Sequence, residues 1–142
     1  MPDILDTYNI AASGLSAERI RLQTIASNMA NAKATRTDAG PGPYRRQVPV
    51  FEAQSVDPFG DELAQAISRV NVNGIEQDAR PPMMVYDPSH PDANADGYVA
   101  YPDINILQEM VDMMSASRTY EANATVVDTT STMALRALDI GG

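Results

Sequence analysis

ILQEMVDMMSASRTYEANATVVDTTSTMALRAL, residues 106–138, contains neither Gly nor Pro. Ile106, Met110, Met113, Ser117, Tyr120, Ala124, Val127, Ser131, Ala134 and Leu138 recur at steps of four and three, flanked by Leu107, Met114 and Leu135. That spacing sets one stripe along a helix and drives it to pack on a second helix. Asn105 sits where an N-cap belongs, with Gln108 completing a capping-box pattern. Gly141 and Gly142 lie where helices stop.

The matching helix is found near the N-terminus. Ile4, Tyr8, Ala11, Leu15, Glu18, Leu22, Ile25 and Met29 follow the same alternation, Glu18 being the one charged member. Gly14 interrupts this helix at a cost of about 1 kcal/mol relative to Ala, and its expected use is close approach of the neighbouring helix. The expected fold is therefore mainly α. Two long terminal helices form an antiparallel coiled-coil-like pair, with a small irregular β region and an extended loop between them. The parts are 1–34 (first helix), 35–103 (loop and β region) and 104–142 (second helix).

The middle part holds nine of the ten prolines. GPGPYRRQVPVFEAQ, residues 40–54, opens on a Gly/Pro turn and becomes β-prone, and residues 35–43 read as a loop. ISRVNVNGIEQD, residues 67–78, alternates apolar and polar positions, with Asn73-Gly74 as a turn signal. PPMMVYDPSHP and GYVAYP read as short strands, the first held to a sheet edge by its prolines.

Among 142 residues there is one His, no Cys and a net charge of −9. Thiolate metal sites and Cys–His chemistry are excluded, and no nucleophile elbow, P-loop or dinucleotide fingerprint is present. An acidic chain is a poor partner for nucleic acid or an anionic membrane. The expectation is a non-enzyme with no catalytic, cofactor-binding or metal-binding residues and no inserted span. DANADGYVAYPD, residues 92–103, mimics a calcium loop in its oxygen ligands and Gly97. No helix can lead into it through the prolines of PPMMVYDPSHP, Pro102 opposes an outgoing helix that begins inside the loop, and the loop ends on Asp103 rather than a bidentate Glu. Its better reading is a polar hairpin loop whose Asp96-Gly97 favours positive φ. The first ten residues carry two acids and no base, unlike a secretory signal.

The runs ASGLSAERIRLQTIASNMANAKATRT, GPYRRQVPVFE and EMVDMMSASRTYEANATVV resemble the bacterial flagellar basal-body rod proteins. The chain is most similar to the proximal rod subunits lettered C. The resemblance implies a structural axial protein that assembles helically around a channel to form the hollow drive shaft in the periplasm. It also implies export through the flagellar type III apparatus without a cleaved signal peptide. Implied partners are copies of itself, other rod subunits, the adaptor joining rod to membrane ring, and the export gate.

Within that reading the subunit-interface seam is expected at Tyr8, Ala11, Leu15, Leu22, Ile25, Met29, Met110, Met113, Ser117, Tyr120, Ala124 and Val127. Polar residues beside it, Asn28, Asn31, Arg118, Glu121 and Asn123, are candidates to set register between subunits. Arg45 and Arg46, the only adjacent basic pair, are candidates to meet an acidic neighbour. The alternative functions are a soluble coiled-coil adaptor and, further off, a calcium-binding module.

Overall fold

A computed structural model describes residues 4–37, 40, 42–55 and 68–141. The side chain of Ile4, loop positions Asp38, Ala39 and Pro41, and strand position Ile67 lie outside that description. Helix α1 spans Ile4–Ala30 and helix α2 spans Ile106–Gly141. Between them run β1 (Gln47–Ser55), β2 (Ser68–Gln77), β3 (Met83–Tyr86) and β4 (Tyr98–Tyr101). At about 1.5 Å per residue, α1 is ~40 Å long and α2 ~54 Å.

The two helices pack on one another and run in opposite directions. Gly14 on α1 faces Asn123 on α2, and Asn28 on α1 bonds Glu109 on α2. Fourteen residues separate the two positions on either helix, so the pairing keeps register over four turns. A Cβ on Gly14 would stand 2.9 Å from Asn123 Nδ2, so the glycine does admit close approach. The Asn105 cap is also formed, its Oδ1 accepting from the N–H groups of Leu107 (3.0 Å) and Gln108 (3.3 Å). Gln108 does not reach back to close a capping box; its side chain turns along the helix to Asp112.

The packed side of α2 is rotated by about one residue from its most apolar stripe. Glu109, Ala116 and Thr130 are buried, and Met113, Asn123, Val127 and Ala134 are half-buried. Met110, Ala124 and Ser131 point outward instead. Glu109 faces inward because Asn28 and Arg46 satisfy its carboxylate there, and Asn123 because Gly14 leaves room for its amide.

Among the described residues the β region forms two separate antiparallel pairs, β1–β2 and β3–β4. The expected turn at Asn73-Gly74 is not formed. Val50 pairs with Gly74 and Phe51 with Val72, leaving Asn73 as the extra residue of a bulge inside β2. Among the described residues both strands of the pair are edges, which is why Pro49 is tolerated in β1. The β3–β4 hairpin forms as the sequence indicates, with Gly97 at φ +79° in its loop. Tyr86 and Tyr98 meet edge to face across it at 5.3 Å. Val99 is fully buried and anchors the hairpin.

Candidate functional site

One polar node joins all three parts of the chain. Asn28 is 1% exposed, and Glu109 is also 1% exposed. Asn28 Oδ1 accepts from the Gln47 N–H (2.8 Å) and from the Tyr44 hydroxyl (3.1 Å). Its Nδ2 donates to the Gln47 carbonyl (2.9 Å) and to Glu109 Oε2 (3.2 Å). Every hydrogen-bonding position of this buried amide is therefore used. Because both polar backbone atoms of Gln47 are engaged, the side chain pairs with the start of β1 much as a neighbouring strand would.

The other carboxylate oxygen of Glu109 accepts from Arg46 Nε at 2.6 Å. Arg46 also lies 3.9 Å from Asp112, one turn further along α2. A buried carboxylate is costly unless paired and hydrogen-bonded. Here Arg46 and Asn28 share that task, so Glu109 stays buried only while α1, α2 and the segment leading into β1 are all in place.

A second brace lies beyond β2. Arg80 Nε donates to Asp78 Oδ2 (2.8 Å), and Arg80 Nη1 pairs with Asp103 (2.9 Å) just before α2. The backbone N–H of Arg80, then its guanidinium, hold the Asp78 carboxyl below the usual carboxylate range. Asp92, first residue of the calcium-like loop, accepts from the Thr35 hydroxyl (2.7 Å) and pairs with Arg36. The Thr35 bond, followed by Arg36, lowers its pKa as well. Asn94 Oδ1 is taken by the N–H groups of Asp96 and Tyr98. These oxygens fold the loop and dock it near the end of α1. Among the described residues no group of three or more His, Asp or Glu is placed to hold a metal ion. No described helix is long and apolar enough to cross a membrane.

The seam positions divide by exposure. Ala11 and Ile25 are buried, and Leu15, Leu22, Met29, Met113, Ser117 and Val127 are half-buried. Tyr8, Met110, Tyr120 and Ala124 are exposed. Of the polar candidates, Asn28 enters the node and Asn123 sits beneath Gly14. Asn31 donates to the Ser27 carbonyl at 2.9 Å and closes its own helix. Arg118 and Glu121 are exposed. Of the basic pair, Arg45 is exposed while Arg46 is held inside the chain.

Sequence reasoning missed Glu109, Tyr44 and Gln47. A signal did exist for Glu109. It stands one residue from an apolar stripe in the first turn of α2, with no basic residue three or four places away. Its cation had to come from elsewhere. Gln47 takes part through its backbone, which no side-chain pattern reveals.

The two helices are also what known families recognise. A family model described as flagella basal body rod protein matches residues 9–36, most of α1 and the turn after it. Another, described as flagellar basal body rod FlgEFG protein C-terminal, matches residues 95–140, which is β4 and α2. Similar curated proteins extend across the middle. The flagellar basal-body rod protein FlgC of Borreliella burgdorferi is 41% identical, covering 96% of this chain and 97% of the relative. FlgC of Bacillus subtilis is 39% identical, with 95% and 96% covered. FlgC of Salmonella typhimurium is 38% identical, with 97% and 98% covered. At this identity and coverage, the chain belongs to the FlgC family of flagellar basal-body rod proteins, which are structural subunits and not a class of enzyme.

Proposed function

We propose that this chain builds the rod by helical self-assembly with copies of itself and with other rod proteins. The product is a hollow periplasmic shaft that transmits torque. In this reading 1–34 and 104–142 form the axial core as an antiparallel coiled-coil-like pair, and 35–103 is the part displayed around it. Export runs through the flagellar type III gate, and an adaptor joins the rod base to the membrane ring.

One observation carries the proposal. Leu107, Met114, Met133, Leu135 and Leu138 on α2 are each more than half exposed. A chain working alone gains nothing from so much apolar surface along one helix. Neighbours in a rod would cover it. The exposed seam residues Tyr8, Met110, Tyr120 and Ala124, with Arg118, Glu121 and Arg45, then contact adjacent subunits. Heterologous packing that does not close generates a filament.

The deciding experiment is a deletion strain scored for hooks and filaments by electron microscopy, with and without the gene restored. The expected outcome is loss of both structures and their return on complementation. Normal filaments in the deletion strain would sink the proposal.

A further inference from the structure

Asn73-Gly74 has the composition of a turn but lies inside β2, where it closes no hairpin. It is the only Asn-Gly among eight asparagines; Ile, Met, Ala or Val follows the other seven. Both residues are exposed. Asn73 is also the extra residue of the bulge. Val72 faces Phe51 and Gly74 faces Val50, so no residue of β1 stands opposite Asn73. Its side-chain amide makes no hydrogen bond among the described residues. A Cβ built on Gly74 would meet nothing within 4 Å, so the space beside the Gly74 nitrogen is open.

Other asparagines are held. Asn28 is buried and fully hydrogen-bonded, Asn31 donates to the Ser27 carbonyl, and Asn105 caps α2. Asn94 Oδ1 accepts from two backbone N–H groups.

We infer that Asn73 is a modification site, at which water converts the side-chain amide to a carboxylate through a cyclic imide shared with Gly74. The Gly74 amide nitrogen gives its proton to base and attacks Asn73 Cγ. A C–N bond forms, and the side-chain nitrogen leaves as ammonia. Water then opens the ring at either carbonyl. Opening at Cγ gives Asp. Opening at the backbone carbonyl gives isoaspartate, with the chain rerouted through the side-chain CH₂. No electrons are transferred, and water is the sole co-reactant.

The bulge is what admits this chemistry within a strand. Extended backbone holds the Gly74 nitrogen away from Cγ, so the Asn73 backbone must rotate before the ring can close. At a regular ladder position that rotation breaks strand pairing. Asn73 stands outside the register, and glycine after it leaves the widest choice of torsions with no Cβ in the way. Either product adds a carboxylate to a chain already at −9. The isoaspartyl form also lengthens the main chain by one atom, at the point where β2 already carries an extra residue.

The test incubates the purified full chain, native or unfolded in guanidinium chloride, in mildly alkaline heavy-oxygen water. Proteolytic peptides are then followed by mass spectrometry. Labelled oxygen should enter the peptide carrying Asn73 ahead of every other asparagine peptide, and Asp and isoaspartyl forms should separate on chromatography. The native rate should lie within about tenfold of the unfolded rate, because the site needs only local opening. Gly74→Ala fits the open space in the fold, and should slow the native reaction by about tenfold or more, since a Cβ narrows the backbone torsions that close the ring. Label entering first at another asparagine would overturn the inference. So would conversion confined to the unfolded chain, or an unchanged rate in Gly74→Ala.

Discussion

Asn28 on α1 bonds both polar backbone atoms of Gln47 at the start of β1, and the same amide nitrogen reaches the buried Glu109 on α2. A single side chain thus ties the first helix to the β region and to the second helix. The node makes helix pairing depend on the path of the connecting segment. The helices meet through small and polar residues, so apolar contact alone would leave their register loosely specified.

Replacing Asn28 with Ala strands the Gln47 N–H and carbonyl, the Tyr44 hydroxyl and one Glu109 oxygen. Unpaired buried groups cost about 1–3 kcal/mol each where water cannot reach them. The expected loss is about 2–3 kcal/mol of unfolding free energy in urea, with water recovering part of the rest. A midpoint unchanged from wild type would show that the node is not a stabilising contact.

Glu109 and Arg46 should behave asymmetrically. Arg46→Met leaves a buried carboxylate without its cation and should destabilise by about 3 kcal/mol or more. The Arg46→Met/Glu109→Met double variant removes both charges and should recover much of that loss. The double-mutant cycle, read from thermal or denaturant unfolding, reports the coupling. Additive losses would argue that the 2.6 Å contact carries little energy.

Gly14 is set by Asn123. Gly14→Ala gains up to about 1 kcal/mol in helix propensity, but its new Cβ meets Asn123 Nδ2 at 2.9 Å. That atom ends a rotatable side chain, so the two effects should nearly cancel and leave stability within about 1 kcal/mol of wild type. Gly14→Val cannot be absorbed by one rotamer change and should cost about 1–3 kcal/mol by overpacking. Equal unfolding midpoints for both variants would contradict the close approach of the helices.

Acid should loosen the β region. Asp78, Asp87 and Asp92 are all held below the ordinary carboxylate value, led respectively by the Arg80 N–H, the Ser89 hydroxyl and the Thr35 hydroxyl. Carboxylates depressed in the folded state bind fewer protons there than in the unfolded chain. Their stabilisation is therefore present above about pH 4 and is lost as pH falls through the lower folded values. Melting temperatures between about pH 5 and pH 2 should fall less steeply for Asp92→Asn than for wild type. Parallel curves would remove Asp92 from the account.

Two long helices, the Asn105 cap and the β3–β4 hairpin with Gly97 in its loop were legible from local chemistry. Periodicity, the absence of Pro, a side chain able to accept from exposed N–H groups, and a positive-φ glycine each act within a few residues. The bulge at Asn73 was not legible, because an Asn-Gly pair suits a turn equally well until the partner strand determines which residue is extra. Nor was the packed side of α2. Apolar counting selects Met110 and Ala124, while the interface uses Glu109 and Asn123.

Sequence by itself determined the number and kind of the long elements and the family, because those follow from local propensity and from similarity along the whole chain. Only the tertiary structure decided which helix faces meet and that Arg46, 63 residues from Glu109, completes a buried ion pair. The reason is physical. A buried charge is tolerated only where a distant partner arrives to satisfy it, and no local pattern records that arrival.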